Sequence, residues 1–320
     1  TVFKDGAWPV SDGIVGVVRM EVGGIRLFRT DGTPEGTTVL AFASSVEANR
    51  IEVLGAHAGN VFFNRVGGDE TFGLWETDGT LEGTRHRWGD QDTPIVTALE
   101  FLPSGSLYFG SQTNGTLYYW PAGAAAPIHL EGDSSTDLFI GELIGVGDLL
   151  VAEANKGSGR ELCIASPDPG SLNVLRDLMP GDEDGLSGAQ FAPFRDGVVF
   201  AGRTPESWFT DGTDAGTRMV CDINPGPMGS NPYRFTESGD LLFFSALTQQ
   251  YGQELWVSDG TEAGTRRLTD VNPGVASTDP YAFCAFKGGL LFTAHDAIRG
   301  EELWFSDGTR EGTRLLYECM

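Results

Sequence analysis

The sequence predicts an all-β protein, a seven-bladed β-propeller of four-stranded blades in one domain spanning residues 1–320. Three observations predict it. An extended segment centred on Leu or Leu-Trp, with Ser-Trp in the fifth place, returns seven times, at Leu27, Leu74, Leu117, Leu162, Ser207, Leu255 and Leu303, at intervals of 43 to 48 residues. That period suits a four-stranded propeller blade. Five of the seven segments run into Asp-Gly-Thr-x-x-Gly-Thr, a chain reversal between two β-forming stretches. Finally, 45 glycines and 16 prolines accompany a well-folded share of apolar residues, as many short strands and tight turns require.

Each unit divides into four strands. Continuous apolar runs come first, at Ile14 to Val18, Val61 to Asn64, Leu107 to Gly110, Leu149 to Ala152, Val198 to Ala201, Leu241 to Phe244 and Leu290 to Thr293. Such runs suit strands buried on both faces, and we place them innermost. The Leu-Trp segment is second. In the turn that follows, the Asp carboxylate accepts bonds from amides just after it, and glycine supplies the positive φ. The third strand follows Gly-Thr, as in Thr217 to Val220. Asp222-Ile-Asn-Pro-Gly226, Asp270-Val-Asn-Pro-Gly274 and the variant Asp177-Leu-Met-Pro-Gly181 then lead to an outer fourth strand, such as Tyr233 to Thr236 or Tyr281 to Phe286.

Units three and four depart from this pattern. Leu117-Tyr-Tyr-Trp-Pro-Ala-Gly123 and Leu162-Cys-Ile-Ala-Ser-Pro-Asp-Pro169 keep the strand and lose the Asp-Gly-Thr. Unit seven ends after its third strand, whereas Ala7-Trp-Pro-Val10 precedes unit one with no strands before it. The N-terminal strand is therefore expected to complete the last blade and close the ring, removing two open edges.

The segments Glu254 to Thr265 and Glu302 to Thr313 both read Glu-Leu-Trp-x-Ser-Asp-Gly-Thr-x-x-Gly-Thr. They resemble the bacterial ELWxxDGT repeat family, and the Asp-x-Asn-Pro-Gly loops look like that family's linker. The resemblance covers essentially the whole chain. It implies a β-propeller from a secreted or surface protein, and no particular chemistry.

The net charge of −24 argues against nucleic-acid binding, which needs a basic face, and against adsorption to anionic membranes. No apolar run is long enough to insert as a membrane helix. Thr1 already lies within the repeat pattern, so the chain is expected to be mature or trimmed. Cys163, Cys221, Cys284 and Cys319 are scattered without zinc spacing and sit in apolar surroundings, which suits buried free thiols or one disulfide.

Two sets of residues invite a functional reading. Asp12, Asn60, Asp148, Asp196 and Asp240 enter the apolar strands; as a ring of oxygens around an axis they would suit Ca2+, and as turn formers they need no ligand. Arg19, Arg65, Gln112, Glu153, Arg203 and His295 end those strands. They would hold a small anion or carboxylate, or simply pair with nearby acids. His295 beside Asp296 is the one histidine placed for acid–base work, and no Gly-x-Ser-x-Gly elbow occurs. Trp75, Trp256 and Trp304 recur with the fold and are read as packing; Trp8, Trp88 and Trp120 lie off the repeat and are better candidates for ligand contact than those three, with a structural role still the first reading. The favoured function is a secreted or surface binding scaffold for a protein, glycan or small anionic ligand. A channel-site hydrolase or lyase, with or without calcium, and a structural spacer of a larger surface protein are the alternatives.

Overall fold

The structure is a computed structural model. It describes residues 3–20, 24–43, 50–66, 72–89, 95–111, 116–130, 140–155, 159–165, 172–179, 181, 183–186, 190–203 and 206–317. No helix occurs among them; twenty-eight strands form seven four-stranded antiparallel sheets.

The first sheet is β1 (Phe3–Val10), β2 (Gly13–Met20), β3 (Gly24–Thr30) and β4 (Thr38–Ala43). The second is β5 (Arg50–His57), β6 (Asn60–Val66), β7 (Gly73–Thr77) and β8 (Arg85–Trp88). The third is β9 (Val96–Phe101), β10 (Leu107–Ser111), β11 (Leu117–Trp120) and β12 (Ile128–Leu130). The fourth is β13 (Ile140–Val146), β14 (Leu149–Asn155), β15 (Arg160–Ala165) and β16 (Leu172–Arg176). The fifth is β17 (Ala192–Phe194), β18 (Gly197–Ala201), β19 (Ser207–Thr210) and β20 (Arg218–Cys221). The sixth is β21 (Tyr233–Ser238), β22 (Leu241–Thr248), β23 (Gly252–Ser258) and β24 (Arg266–Arg267). The seventh is β25 (Tyr281–Phe286), β26 (Gly289–Asp296), β27 (Gly300–Ser306) and β28 (Arg314–Tyr317).

Within every sheet the strands lie in chain order. This corrects the reading of blade boundaries. The apolar runs are second strands, paired on both sides: β22 bonds β21 through Tyr233↔Ser245 and β23 through Phe244↔Trp256. The strands taken as fourth are the first strands of the next sheet. The N-terminal strand follows the same rule. β1 pairs with β2 through Trp8↔Val15, and the last sheet draws all four strands from residues 281–317, so the expected completion of the last blade by the N-terminus is not what the pairing shows.

The chain divides into two compact units, Thr1–Ile140 with Pro167–Ser171, and Gly141–Ser166 with Leu172–Met320. In each, the core lies between the faces of consecutive sheets. In the first unit Val15, Leu27, Val61 and Phe63 pack together between sheets one and two. Phe62, Leu74, Phe109 and Trp120 do so between sheets two and three. In the second, Val151, Leu162 and Phe200 join sheets four and five, Phe194, Phe244 and Ala246 join five and six, and Phe243, Leu255 and Phe292 join six and seven. A second strand thus buries both faces, which is why its sequence runs apolar without alternation.

Candidate functional site

The Asp-Gly-Thr turn closes on itself. In the sixth sheet Asp259 Oδ1 accepts the Thr261 amide at 2.9 Å and its hydroxyl at 2.6 Å. Thr261 Oγ1 accepts the Gly264 amide, and the Thr265 hydroxyl donates to the Thr261 carbonyl. The Ser258 and Thr265 hydroxyls meet at 2.8 Å across the turn. Gly260 has φ +86, and a Cβ on Gly264 would strike the Asp259 carboxylate. The motif is therefore a list of contacts: acceptor, positive-φ residue, hydroxyl, and a glycine that leaves room for the acceptor. The same geometry recurs at Asp31, Asp78, Asp211 and Asp307. Threonine hydrogen bonds hold all five carboxyls below the ordinary aspartate range.

Sequence reasoning passed over the glutamate that precedes the Leu position. Glu254 is fully buried; the Thr278 hydroxyl lies 2.6 Å from both its carboxylate oxygens and the Thr269 hydroxyl 2.5 Å from one. Glu206 accepts the Ile223 and Asn224 amides and the Ser230 hydroxyl. Glu161 accepts the Leu178 and Gly185 amides. Each glutamate thus grips the connector to the next sheet. The connector then grips that sheet's second hairpin: Asn272 Nδ2 donates to the Ser277 and His295 carbonyls, and its Oδ1 accepts the Ala297 amide. Asn224 repeats this with Gly229 and Gln249. Burial pushes the Glu254 carboxyl up to about 7, against its threonine bonds and the nearby Arg267, and raises Glu161 as well. The available signal was an acidic residue at one fixed place in an otherwise apolar strand, in units four to seven.

The strand-end residues divide between the two compact units. In the first unit, the Arg65 guanidinium lies 5.1 Å from the Trp75 ring centre. Arg19 pairs through its backbone with Ile25 on β3, and Gln112 lies outside the described residues. In the second unit, Glu153 and Arg203 are brought into one charged cluster. Buried Glu153 faces Arg160 at 3.7 Å, and Arg160 and Arg203 flank Asp184 at 4.0 and 3.8 Å. His295 is exposed and pairs with Glu301 across its hairpin at 3.4 Å. Asp296 turns elsewhere: its Oδ1 accepts the Ile298 amide and its Oδ2 meets Arg299, both at 2.8 Å. These contacts lower its pKa and leave His295 and Asp296 as separate elements of one hairpin.

The proposed cation residues sit where first strands turn into second strands. Asp12, Asp148, Asp196 and Asp240 are exposed, and Asn60 opens β6 half-buried. Asp12 pairs with Arg29 at 2.7 Å, and the Asp240 carbonyl accepts from Arg195. Among the described residues no three His, Cys, Asp or Glu side chains come together as a metal site. All the tryptophans in question pack: Trp8 against the first core, Trp75 on Phe63, Trp88 on Phe109, Trp256 and Trp304 within their inter-sheet cores. Trp120 donates its indole N–H to the Ala124 carbonyl and so builds the unit-three hairpin that lacks Asp-Gly-Thr. Cys163 is buried, but Cys284 is exposed, unlike the buried thiol expected; Cys319 and the Pro167-Asp168-Pro169 turn lie outside the described residues.

No family model matches the chain, and no curated protein matches it. Solved structures do. A chain from a structural and mechanistic study of two prolyl endopeptidases matches with TM-score 0.57 at 13% identity, over 98% of this chain and 49% of that one. The computationally designed protein Ika8 matches with TM-score 0.54 at 15% identity, over 97% of this chain and 85% of the design. A puromycin hydrolase mutant, S511A, complexed with PGG, matches with TM-score 0.50 at 16% identity, over 95% and 50%. The chain spans about half the length of the two enzymes. At such identities the likeness speaks to fold, and with seven four-stranded antiparallel sheets it makes the fold class a β-propeller.

Proposed function

We propose that the chain is a binding and scaffold propeller of the ELWxxDGT repeat type, working outside the cytoplasm and recognising a protein, glycan or small anionic ligand. One observation carries this reading. His295 and Asp296, the pair best placed by sequence for acid–base work, are engaged in different contacts, with Glu301 and with Arg299 and the hairpin amides. A general acid or base must stand within hydrogen-bond reach of the proton it moves, and here the two side chains are held by separate partners. The remaining polar residues of the repeat hold turns and connectors, which favours a rigid frame that presents surfaces.

The test is to probe the purified chain against glycan and extracellular-protein arrays, and in parallel against esterase, peptidase and polysaccharide-lyase substrates, each with EDTA and with added calcium. Saturable binding without turnover supports the scaffold. Turnover that His295→Ala abolishes would replace it with the hydrolase or lyase reading, and turnover restored by calcium would bring Asp12, Asn60, Asp148, Asp196 and Asp240 back as ligands.

A further inference from the structure

Among the described residues, the last strand of each sheet is an open edge, paired on one side only. Natural proteins blunt such edges by keeping them short and charged, because unpaired N–H and C=O groups recruit other strands. Six of the seven edges here follow that rule. They carry Arg85, His129, Arg176, Arg218, Arg266 and Arg314 in turn, and the longest of them, β16, has 5 residues. β4 breaks it. It has 6 residues, Thr-Val-Leu-Ala-Phe-Ala, with no charged or histidine side chain.

Its side chains are arranged to receive a strand. The pairings Ala41↔Leu27 and Val39↔Phe28 place a bulge at Leu40. The extra residue brings Val39 and Phe42 to the same face, exposed by 43% and 57%. Beside Thr38 opens a hollow of about 360 Å³, lined also by Asp12, Arg29, Thr80, Leu81 and Glu82. Leu81, 62% exposed, gives it an apolar wall; Glu82 makes its rim acidic, and Asp12 there is paired with Arg29. An aliphatic stem tipped by a cation fits such a wall and rim. Asp31 and Glu35 are exposed on the turn leading into β4, and the chain as a whole carries −24, which opposes a second copy and favours a cationic partner.

We propose that β4 is a docking edge for an extended, lysine- or arginine-containing segment of another protein, added as a fifth strand of the first sheet. Main-chain bonds along β4 supply affinity, Val39 and Phe42 select apolar side chains on one face, and the hollow takes a basic one from the other. This rests on the binding reading above and names one surface and partner class for it.

The probe is a fluorescein-labelled octapeptide of alternating lysine and valine, followed by anisotropy at low salt. Two comparators are the glutamate–valine peptide and the lysine–valine peptide N-methylated at alternate residues. Saturable binding is expected, weakened at least tenfold in either comparator and in Val39→Lys, and unchanged in Val174→Lys on the edge of the fourth sheet. Hydrogen exchange on the wild-type chain should show slower exchange of the 38–43 amides with peptide present, a readout that no variant's folding can disturb. Equal binding by Val39→Lys or by the N-methylated peptide would overturn the proposal, as would protection confined to other strands. A concentration-dependent dimer dissolved by Val39→Lys would assign the edge to a second copy and overturn the cationic partner. The two readings fail separately: an array ligand held equally by Val39→Lys and wild type would remove the β4 edge and leave the scaffold standing.

Discussion

The Thr278 hydroxyl sits 2.6 Å from both carboxylate oxygens of Glu254, joining the third strand of the sixth sheet to the segment that leads into the seventh. Glu254 is fully buried, so this contact decides how the connector leaves one sheet and enters the next. Glu206 and Ser230 repeat it one sheet earlier.

The Glu254 clamp has a pH signature. Its carboxyl titrates at about 7 in the folded chain against 4.5 in the unfolded one. An acid whose folded pKa is raised binds its proton more tightly in the native state. Its contribution is fully present below pH 4.5 and is lost as pH rises through 7. Chemical denaturation should show stability falling between pH 5 and 8 by up to about 3 kcal/mol, at 1.36 kcal/mol per pKa unit. In Glu254→Gln that slope should flatten. A wild-type curve already flat over the window would show that burial does not perturb this carboxyl.

The second glycine of the turn should be irreplaceable because of the aspartate. Gly264→Ala puts a Cβ into the Asp259 carboxylate and should cost about 1–3 kcal/mol. Asp259→Ala should cost about 1 kcal/mol through lost turn bonds. The double variant should be more stable than the sum of the two predicts, since the collision partner is gone. Additive costs in a double-mutant cycle would mean that the two residues do not meet.

Asn272 is predicted to need its amide. Its Nδ2 donates to two carbonyls and its Oδ1 accepts the Ala297 amide, all at 2.8–2.9 Å and largely buried. Asn272→Asp loses both donors and should destabilise by about 2 kcal/mol or more. Hydrogen exchange should then rise at 277–278 and 295–297. Uniform exchange with an unchanged melting temperature would show that the connector is held otherwise.

Removing residues 1–12 distinguishes the two accounts of the N-terminal strand. With β1 paired to β2, the truncated chain should lose amide protection along β2 and β3 and keep it along β25 and β26. Loss centred on β25 to β28 would restore the closure expected from the sequence.

That correction shows which part of the fold was legible. The period from Leu27 to Leu303 announced seven sheets because five of the seven repeats carry the same turn chemistry, and local chemistry is written locally. The starting point of the repeat was not legible. A periodic string has no marked origin, and Tyr281 to Phe286 reads equally well as the end of one sheet or the start of another; only Tyr281↔Thr293 decides. The Asp-Gly-Thr turns were read correctly, since Asp259 bonds residues two positions away. Glu254 was missed because its partner Thr278 lies 24 residues on, beyond any local pattern. His295 and Asp296 misled for a related reason: adjacent residues on a strand face opposite ways, and each found its partner across or along the hairpin.

The central claim is that the polar residues of the repeat build a frame that binds and does not transform. The most direct measurement is mass spectrometry of a ligand captured from the arrays, incubated with an excess of protein at neutral pH and then released. The account predicts that the ligand is recovered at its original mass, identically from wild type and His295→Ala. A ligand cleaved or eliminated by wild type and returned intact from His295→Ala would contradict it.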